Sequence, residues 1–295
     1  MFGVPVDASL PILPRSLAVV SLPPVILSVV IITHNEEANI GRTLESVRPL
    51  VSDGKGEIIV VDSGSTDRTV EIAKSFGAKV FVEEWKGFAA QKNSAIDKAE
   101  GDWVLSLDAD EEVNEGMRKL LPFILSPPQG CGYAGMGLLF ARQNYFLGRW
   151  MRHGGFWPDR KLRMVWRGLG RFEDRSVHED IKLKEGCESF DPSLEFDLGS
   201  PIAIIHHSYP TLSDYIDHMN RYSSLGAEMV VAKANGKVRF SVINIVLRPL
   251  ATFFYNYFFR LGFLDGHKGL LLHLYHAVYV SWKYAKAWEL ARKQQ

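Results

Sequence analysis

The chain has 295 residues, of which 46% are hydrophobic, so it is long enough to bury one large core or one domain with an appendage. Lysine and arginine together number 34, as do aspartate and glutamate, so the net charge gives no support for a nucleic-acid partner, and none is expected. Cys131 and Cys187 stand alone without CxxC spacing, which argues against a disulfide scaffold or a zinc site and indicates a reducing compartment.

The first 24 residues differ in character from the rest of the chain. They contain five prolines and have no cationic start ahead of their apolar residues. A secretory signal peptide has that cationic start, followed by an unbroken apolar segment. Residues 1–24 are therefore predicted to be a loose N-terminal extension.

Apolar runs of strand length alternate with helical patterns from residue 25 onward. The predicted strands cover residues 25–32, 57–62, 79–82 and 103–107. Between them, apolar residues at helical spacing predict helices that begin near Ile40, Thr69 and Gly87. Strands that alternate with helices form parallel sheets covered by helices on both faces, so the sequence predicts an α/β fold with a doubly wound, mostly parallel sheet.

Polar residues stand at the ends of three predicted strands. Thr33 and Asn35 follow the first strand, Asp62 ends the second, and Asp108 and Asp110 follow the fourth. Ligands of open α/β sheets bind outside the carboxyl ends of the strands, so these side chains are expected to converge on one site. The fingerprints GxGxxG and GxxxxGK followed by Ser or Thr are absent, which argues against a dinucleotide enzyme and a P-loop nucleotide hydrolase.

The fourth predicted strand leads into an acidic segment with Asp108, Asp110, Glu111 and Glu112. Two aspartates separated by one small residue suit Mg²⁺ or Mn²⁺, because such hard cations take one or two carboxylates and complete their shell with water and substrate phosphates. The alternative is a solvated acidic turn that caps the helix predicted from about Asn114, since short acidic runs are common on surfaces.

Four segments of the chain, in this order, resemble the family 2 glycosyltransferases of GT-A fold. The segments are ILSVVIITHNEEANI, EIIVVDSGSTDRTVEIA, GFAAQKNSAIDKAEGDWVLSLDADEE and RFEDRSVHED. The resemblance covers about residues 25–215 and is greatest to the subgroup of lipopolysaccharide core glucosyltransferases. It implies an inverting hexosyltransferase that uses Mg²⁺ or Mn²⁺. The implied donor is UDP-glucose or a similar nucleoside-diphosphate sugar, and the implied acceptor is a lipid-linked saccharide such as the lipopolysaccharide inner core.

The resemblance also implies a set of nucleotide-sugar ligands: Thr33, Asn35, Glu36, Asp62, Lys92, Asn93 and Asp108. Asp62 would accept hydrogen bonds from the base or the ribose, and Asp108 would contact the ribose side. Simpler structural roles compete with three of these assignments. Asp62 can cap the following helix, and Glu36 can lie in a first helical turn, where the dipole favours an acid. Lys92 can be a solvated surface lysine.

The resemblance places the metal on Asp110, which would hold it against the donor diphosphate. A histidine from the region of His206 is the third metal ligand in some GT-A enzymes. His206 and His207 follow the apolar residues 202–205, which predict a strand that delivers one of the two histidines inward. A lone histidine is more often a hydrogen-bonded core residue, so both roles stay open for His206.

Inverting transfer also needs a general base that takes the proton from the acceptor hydroxyl. Glu179 in the segment VHED matches the His-Glu pair of the family and is predicted to be this base, with Asp180 as the second candidate. The competing interpretation is a salt-bridged surface pair near Arg171 and Arg175.

Cations and aromatic residues are interleaved between residues 149 and 171. They are Arg149, Trp150, Arg152, Phe156, Trp157, Arg160, Lys161, Arg163, Trp166, Arg167 and Arg171. Aromatic rings that stack on sugars, beside cations that pair with phosphate, suit a phosphorylated saccharide acceptor. An ordinary charged β-hairpin would have the same pattern.

The segment 237–295 is basic and aromatic, with nine Lys or Arg against two acids and 13 of the 34 aromatic residues. No apolar run approaches the ~20 residues needed to cross a bilayer. The pattern predicts a monotopic helical hairpin in the headgroup region, and hence a peripheral enzyme at the cytoplasmic face of the inner membrane. The alternative is that these helices pack on the catalytic domain or on a second copy in a homo-oligomer. The predicted regions are thus the extension, a catalytic domain at 25–236 and a membrane-associating region at 237–295.

Three other functions compete with this interpretation. A non-catalytic membrane-bound scaffold on a decayed transferase fold is disfavoured, because Asp62, Asp108, Asp110 and Glu179 are all present. A nucleotidyltransferase would need a Gly-rich loop with Arg and Lys after the first strand, and THNEEANIGR is not such a loop. Polyprenyl phosphate or another envelope glycan is the main rival to a core saccharide as acceptor.

Overall fold

A computed structural model of the protein describes residues 26–125, 136–173 and 180–293. The predicted N-terminal extension, Cys131 and Glu179 lie outside the described residues, and Cys187 is a free thiol. Each strand and helix predicted for the first 107 residues is present; the strand ends differ from the predicted ones by at most two residues, and the helices begin within one residue of the predicted positions.

Strands and helices alternate up to residue 125, and a strand-rich segment and a helical segment follow. The strands are β1 (Leu27–Thr33), β2 (Gly56–Asp62), β3 (Lys79–Val82), β4 (Trp103–Asp108), β5 (Glu111–Val113), β6 (Met136–Phe146), β7 (Arg149–Trp150), β8 (Asp159–Trp166), β9 (Gly170–Phe172), β10 (Ile181–Leu183), β11 (Glu188–Phe190) and β12 (Ala203–Tyr209). The α-helices are α1 (Ile40–Val51), α2 (Thr69–Ser75), α3 (Phe88–Asp97), α4 (Glu115–Leu125), α5 (Leu212–Lys233), α6 (Arg248–Phe254) and α7 (Gly266–Lys293). Short 3-10 or π-helical turns cover Pro192–Leu194, Ile243–Leu247, Tyr255–Phe259 and Gly262–Asp265.

The main sheet of the described residues runs in the order β3-β2-β1-β4-β8-β6-β12-β5. Strands β3, β2, β1 and β4 are parallel, whereas β8 joins β4 and β6 in antiparallel pairing and β12 runs parallel to β6. In this register Thr33 lies opposite Asp62, and Ile32 lies opposite Asp108. The polar ends of three strands therefore meet at one edge, and the predicted mixed α/β fold with a mostly parallel sheet is confirmed.

The core explains why β1 consists of apolar residues almost throughout. Val29 and Ile31 pack with α1 and α4 on one face of the sheet, while Val30 and Ile32 pack with α3 on the other. Since successive side chains of a strand point to opposite faces, a strand covered on both sides needs apolar residues at every position. Thr33 is the first residue of β1 that carries a polar side chain toward the ligand edge.

The C-terminal helix α7 packs along α5 and reaches the sheet domain. Leu272 of α7 lies in a buried cluster with Phe146, Met151 and Tyr215. The carboxylate of Asp265, just before α7, is buried and accepts hydrogen bonds from the backbone N–H groups of residues 152 and 153. Packing on the catalytic domain, the alternative considered for the tail, thus holds for α7.

The segment between α5 and α7, unlike α7, has an exposed apolar surface. Ile243, Leu247, Leu250, Phe254 and Phe258 recur at helical spacing and are all at least 48% exposed. Such spacing places them on one face of the helix, so this face is apolar and directed to solvent. The helices of the described residues all fall short of the length and apolarity that crossing a membrane requires.

Candidate active site

A cleft of about 800 Å³ opens at the carboxyl ends of β1 and β4. Seven of the predicted site residues line it: Thr33, Glu36, Lys92, Asp108, Asp110, Asp180 and His206. Asn35, Asp62 and Asn93 are not part of this lining, but each makes hydrogen bonds to a loop or strand next to it. The predicted convergence of strand-end residues therefore exists in the fold, whereas the role of each residue in binding a ligand stays a prediction.

Asp108 at the end of β4 lies between two cations. One carboxylate oxygen is 2.8 Å from Lys92 Nζ, and the other is 3.1 Å from Arg163 Nη2. Burial alone would raise the pKa of Asp108, but the charges of Lys92 and Arg163 outweigh it and hold this pKa well below its usual range. Lys92 itself is only 4% exposed, so it is not the solvated surface lysine that the sequence left open.

Glu111 is a fully buried carboxylate beneath the strand end. Its Oε2 accepts a hydrogen bond of 3.0 Å from the backbone N–H of Asp108, and its Oε1 lies 2.7 Å from Arg163 Nη2. Arg163 in β8 therefore binds both acids and ties the acidic segment to the neighbouring strand. A solvated acidic turn, the alternative for this segment, is excluded by the burial of Glu111.

Replacing Arg163 with methionine is expected to lower the free energy of unfolding by about 3–5 kcal/mol, because it leaves a buried carboxylate without its closest cation. Chemical denaturation of the variant and the wild type measures this difference. The double variant Arg163→Met, Glu111→Met removes both charges, so most of the loss should be recovered. A single variant as stable as the wild type would show that the pair does not support the strand end.

Asp110 faces His206 across the cleft. Asp110 Oδ2 lies 3.4 Å from His206 Nε2, and His206 Nδ1 lies 2.8 Å from both Asn144 Oδ1 and Ser208 Oγ. Burial opposes the charged form of each partner, yet their mutual attraction lowers the pKa of Asp110 and raises that of His206. His207, by contrast, turns to Glu112, 2.6 Å away, so His206 is the histidine that the strand delivers to the cleft.

The wall formed by β1 and β2 carries unsatisfied polar groups. The buried hydroxyls of Thr33 and Ser63 have no hydrogen-bond partner among the described residues. Burial raises the pKa of Glu36 above its ordinary value, although a hydrogen bond from Asn39 acts in the opposite direction. Buried polar atoms without a partner are rare in folded proteins, so these hydroxyls are available to a ligand.

Asp62 and Asn35 hold the loops of this wall in place. Asp62 Oδ1 accepts hydrogen bonds from the backbone N–H groups of Gly64 and Ser65. Asn35, whose φ of 54° suits asparagine better than most residues, accepts a hydrogen bond of 2.8 Å from the N–H of Thr66. Asp62 thus orders its own turn and does not cap α2, and its predicted contact with the nucleoside stays a prediction.

Asn93 contacts Phe172, and Asp180 is the residue after the predicted base in the sequence. Asn93 makes two hydrogen bonds of 2.9 Å with the backbone of Phe172, which fixes β9 to α3. Asp180 Oδ1 lies 3.2 Å from Lys161 Nζ at the cleft wall. Glu179 lies outside the described residues, so only Asp180 of the two candidate bases has a described position.

The cations predicted to surround a phosphorylated acceptor do not form one group. Four of them are paired with separate carboxylates: Arg160 with Asp191, Lys161 with Asp180, Arg163 with Asp108 and Glu111, and Arg171 with Asp97. Trp166 packs edge-on against buried Trp103. Arg160, Arg171 and Trp166 therefore fill structural roles, and Lys161 and Arg163 are the cations of this set that reach the cleft.

Sequence reasoning missed several residues that line the cleft. Trp85 and Phe88 form an exposed edge-to-face pair, with ring centroids 4.8 Å apart, and Arg221 of α5 lies over the Phe88 ring. Arg142 of β6 lines the cleft and is clamped by Asp159. Trp85 and Phe88 could have been recognised as candidates, because an aromatic pair stands close to a polar strand end. No local sequence pattern identifies Arg142 or Arg221.

The chain is similar to known glycosyltransferases. A sequence profile described as Glycosyl transferase family 2 matches residues 28–176. The lipopolysaccharide core biosynthesis glycosyltransferase LpsC of Rhizobium meliloti (strain 1021) is 31% identical over 258 residues, which is 83% of each chain. An uncharacterized glycosyltransferase of Rickettsia typhi is 45% identical over 100 residues, covering 34% of this chain and 33% of the relative. Among solved structures, the glucosyl-3-phosphoglycerate synthase of Mycobacterium tuberculosis is 28% identical over 41% of this chain and 44% of its own, with a TM-score of 0.31.

Proposed function

Because this chain belongs to glycosyl transferase family 2, its activity is sugar transfer, and we propose that it moves a hexose from UDP-glucose or a similar nucleoside-diphosphate sugar to the lipopolysaccharide inner core. The observation that carries the proposal is the strand-end site, where Asp108 and Asp110 share one cleft with Lys92 and His206. A cleft of about 800 Å³ is within the ~300–1,000 Å³ typical of small-molecule sites. The name of the Rhizobium relative supports the choice of acceptor.

The spacing of Asp110 and His206 fits one divalent cation. Their facing atoms are 3.4 Å apart, and neighbouring ligands of octahedral Mg²⁺ lie about 3 Å apart. The contact of His206 Nδ1 with Asn144 Oδ1 favours a proton on Nδ1, which leaves the Nε2 lone pair for a metal. No group of three or more His, Cys, Asp or Glu side chains suited to a metal occurs among the described residues, so water and the donor diphosphate would complete the shell.

In this proposal the donor lies along the wall from Thr33 and Glu36 to Lys92, with Asp62, Asn35 and Asn93 ordering the loops behind it. Bound Mg²⁺ or Mn²⁺ would neutralise charge on the departing nucleoside diphosphate. Lys92 lies in the same wall and adds a positive charge. Glu179 or Asp180 takes the proton from the acceptor hydroxyl, which attacks the anomeric carbon opposite the leaving group and inverts it.

The exposed apolar face around α6 supports attachment to a membrane surface, where a lipid-linked acceptor resides. Contiguous exposed apolar patches on soluble proteins commonly mark protein or membrane interaction sites. Arg239, Arg248 and Arg260 are exposed on the same segment, and each basic residue near anionic lipid contributes about 1 kcal/mol. The enzyme would then act as a peripheral protein at the cytoplasmic face of the inner membrane.

The double variant Ile243→Glu, Phe259→Glu is expected to bind vesicles of phosphatidylethanolamine and phosphatidylglycerol roughly 10²-fold more weakly than the wild type, because two exposed apolar side chains lose their transfer into lipid. Both residues are highly exposed, at 65% and 79%, so the fold should survive. Removing all residues after 236 is a poorer test, since α7 would go with them. Vesicle co-sedimentation at low and high salt measures the binding.

The matched control is Leu194→Glu, because Leu194 is 75% exposed but lies far along the chain from the tail. It should sediment like the wild type, and raised salt should weaken the wild-type binding. Equal sedimentation of all three proteins, or no binding at low salt, would contradict membrane attachment through this face.

The proposed function is tested by screening the purified protein for hydrolysis of a panel of nucleotide sugars with and without Mg²⁺ or Mn²⁺. Transfer to rough-type lipopolysaccharide that carries only its inner core is measured next. We expect metal-dependent hydrolysis of a UDP-hexose and transfer of that hexose. Hydrolysis at the same rate with and without the metal would overturn the proposed metal dependence. Transfer to polyprenyl phosphate in place of the inner core would overturn the proposed acceptor.

A further inference from the structure

A second cavity, of about 310 Å³, adjoins the cleft. Four residues line both spaces: Arg142, Lys161, His206 and Tyr209. The cleft and the second cavity are therefore neighbours, and the histidine that faces Asp110 belongs to the boundary between them. The smaller volume is at the low end of the ~300–1,000 Å³ typical of ligand pockets and suits a single sugar ring.

The walls of the second cavity combine aromatic and polar surfaces. Phe156 and Leu272 supply apolar surface, and Asn144, Asp159 and Ser208 supply hydrogen-bonding atoms. A sugar ring has an apolar face of C–H groups and a rim of hydroxyls, so it needs both kinds of surface. Asp159 is paired with Arg142 and Lys161 with Asp180, so both the arginine and the lysine of this cavity already have a carboxylate partner.

The boundary between the cavity and the cleft lies close to the candidate base Asp180. Lys161, which lines both spaces, holds the candidate base Asp180 at 3.2 Å. Asp180 and His206 therefore lie next to the boundary between the two spaces. A nucleophile must approach within about 3–3.5 Å of the reacting carbon, and a shared boundary between the two spaces allows this approach.

The cavity also borders the exposed apolar segment. Gly155 lines the cavity and lies directly against the Arg260 guanidinium, so that a Cβ at this position would clash with it. The backbone N–H of Gly154 donates a hydrogen bond of 2.8 Å to the carbonyl of Arg260. Arg260 follows Phe258 and Phe259, which are 48% and 79% exposed. The cavity thus lies between the cleft and the apolar surface.

We propose that the second cavity is the acceptor subsite and binds an uncharged sugar ring of a lipid-linked saccharide, while the lipid stays at the apolar surface around α6. The inference rests on the proposed function and specifies where that function places its acceptor. It also assigns a role to α7, which supplies Leu272 to the cavity wall.

The test compares an aromatic residue of the second cavity, Phe156, with an aromatic residue of the cleft, Trp85. In steady-state transfer from UDP-glucose to inner-core lipopolysaccharide in detergent micelles, Phe156→Ala should raise the KM for lipopolysaccharide roughly five- to tenfold, since it removes one aromatic contact. The KM for UDP-glucose should stay unchanged. Trp85→Ala, which alters the cleft only, should raise the KM for UDP-glucose and leave the KM for lipopolysaccharide unchanged. Phe123→Ala, an exposed aromatic residue on α4 outside both spaces, is the neutral control.

Hydrolysis of UDP-glucose without acceptor reports whether each variant is folded. If Phe156→Ala lacks this hydrolysis, Phe156→Leu keeps the volume and removes only the ring face. An unchanged KM for lipopolysaccharide in the folded Phe156 variant would overturn the proposal. A rise in the KM for UDP-glucose equal to that for lipopolysaccharide would overturn it as well, because the cavity would then hold the donor sugar. Absence of transfer by the wild type would instead refute the proposed function, on which the assignment rests.

Discussion

The variant Asp110→Ala should lose sugar transfer by roughly 10³-fold or more, and with it metal-dependent binding of UDP, while it stays folded. Electrostatic stabilisation of developing charge is commonly the largest catalytic contribution, and removal of one such group costs about 10²–10³-fold in kcat. Asp110 additionally holds His206, so both proposed metal ligands are disturbed at once. The core does not depend on Asp110, because its carboxylate faces the cleft.

Isothermal titration of UDP with and without Mn²⁺ measures whether the variant still binds UDP in a metal-dependent manner. Thermal unfolding of the apoprotein shows whether the variant is folded. Asp217→Ala is the matched control, because Asp217 is an exposed aspartate of α5 that does not line the cleft. A variant that kept near-wild-type turnover, or whose UDP affinity responded to Mn²⁺ as in the wild type, would remove Asp110 from the metal site.

Glu179→Gln is expected to keep donor binding and to lose transfer by roughly 10²–10⁴-fold, which is the range for a general base. Glutamine preserves the shape of the side chain and removes its basicity. Steady-state transfer, together with UDP-glucose hydrolysis and UDP titration, distinguishes the lost step from lost binding.

The neighbouring variant Asp180→Asn is the matched comparison, since Asp180 has the described contact with Lys161 at the cleft wall. An inactive Asp180→Asn beside an active Glu179→Gln would move the base by one residue. Equal losses of donor affinity and of rate in Glu179→Gln would indicate a structural role for this glutamate.

The positions of site residues that depend only on their own strand or turn could be predicted from the sequence. The apolar run of β1 and the polar residue that ends it determine which side chains reach the ligand edge, because a parallel strand buried on both faces must be apolar up to its end. The observed register, with Thr33 opposite Asp62 and Ile32 opposite Asp108, agrees with the predicted convergence of these strand ends. The family was also evident from four local segments, and the comparisons confirm it.

The partners of the buried charges could not be predicted in this way. Arg163 lies 52 residues after Glu111 and 55 after Asp108, and Asn144 lies 62 residues before His206. In the sequence, Arg163 is one member of a cationic run that resembles a charged hairpin. Only the antiparallel pairing of β8 with β4 turns it inward, because the faces of a strand alternate and its neighbours decide which face is buried.

The tail shows the same division. The sequence by itself determined that segment 237–295 is too apolar for a free tail and too interrupted to cross a bilayer, since both properties are local. Only the tertiary structure decided that α7 packs along α5 and supplies Leu272 to the core, while the apolar face around α6 stays exposed. The physical reason is that composition sets how much apolar surface must be covered, whereas the positions of distant helices determine which surface they cover.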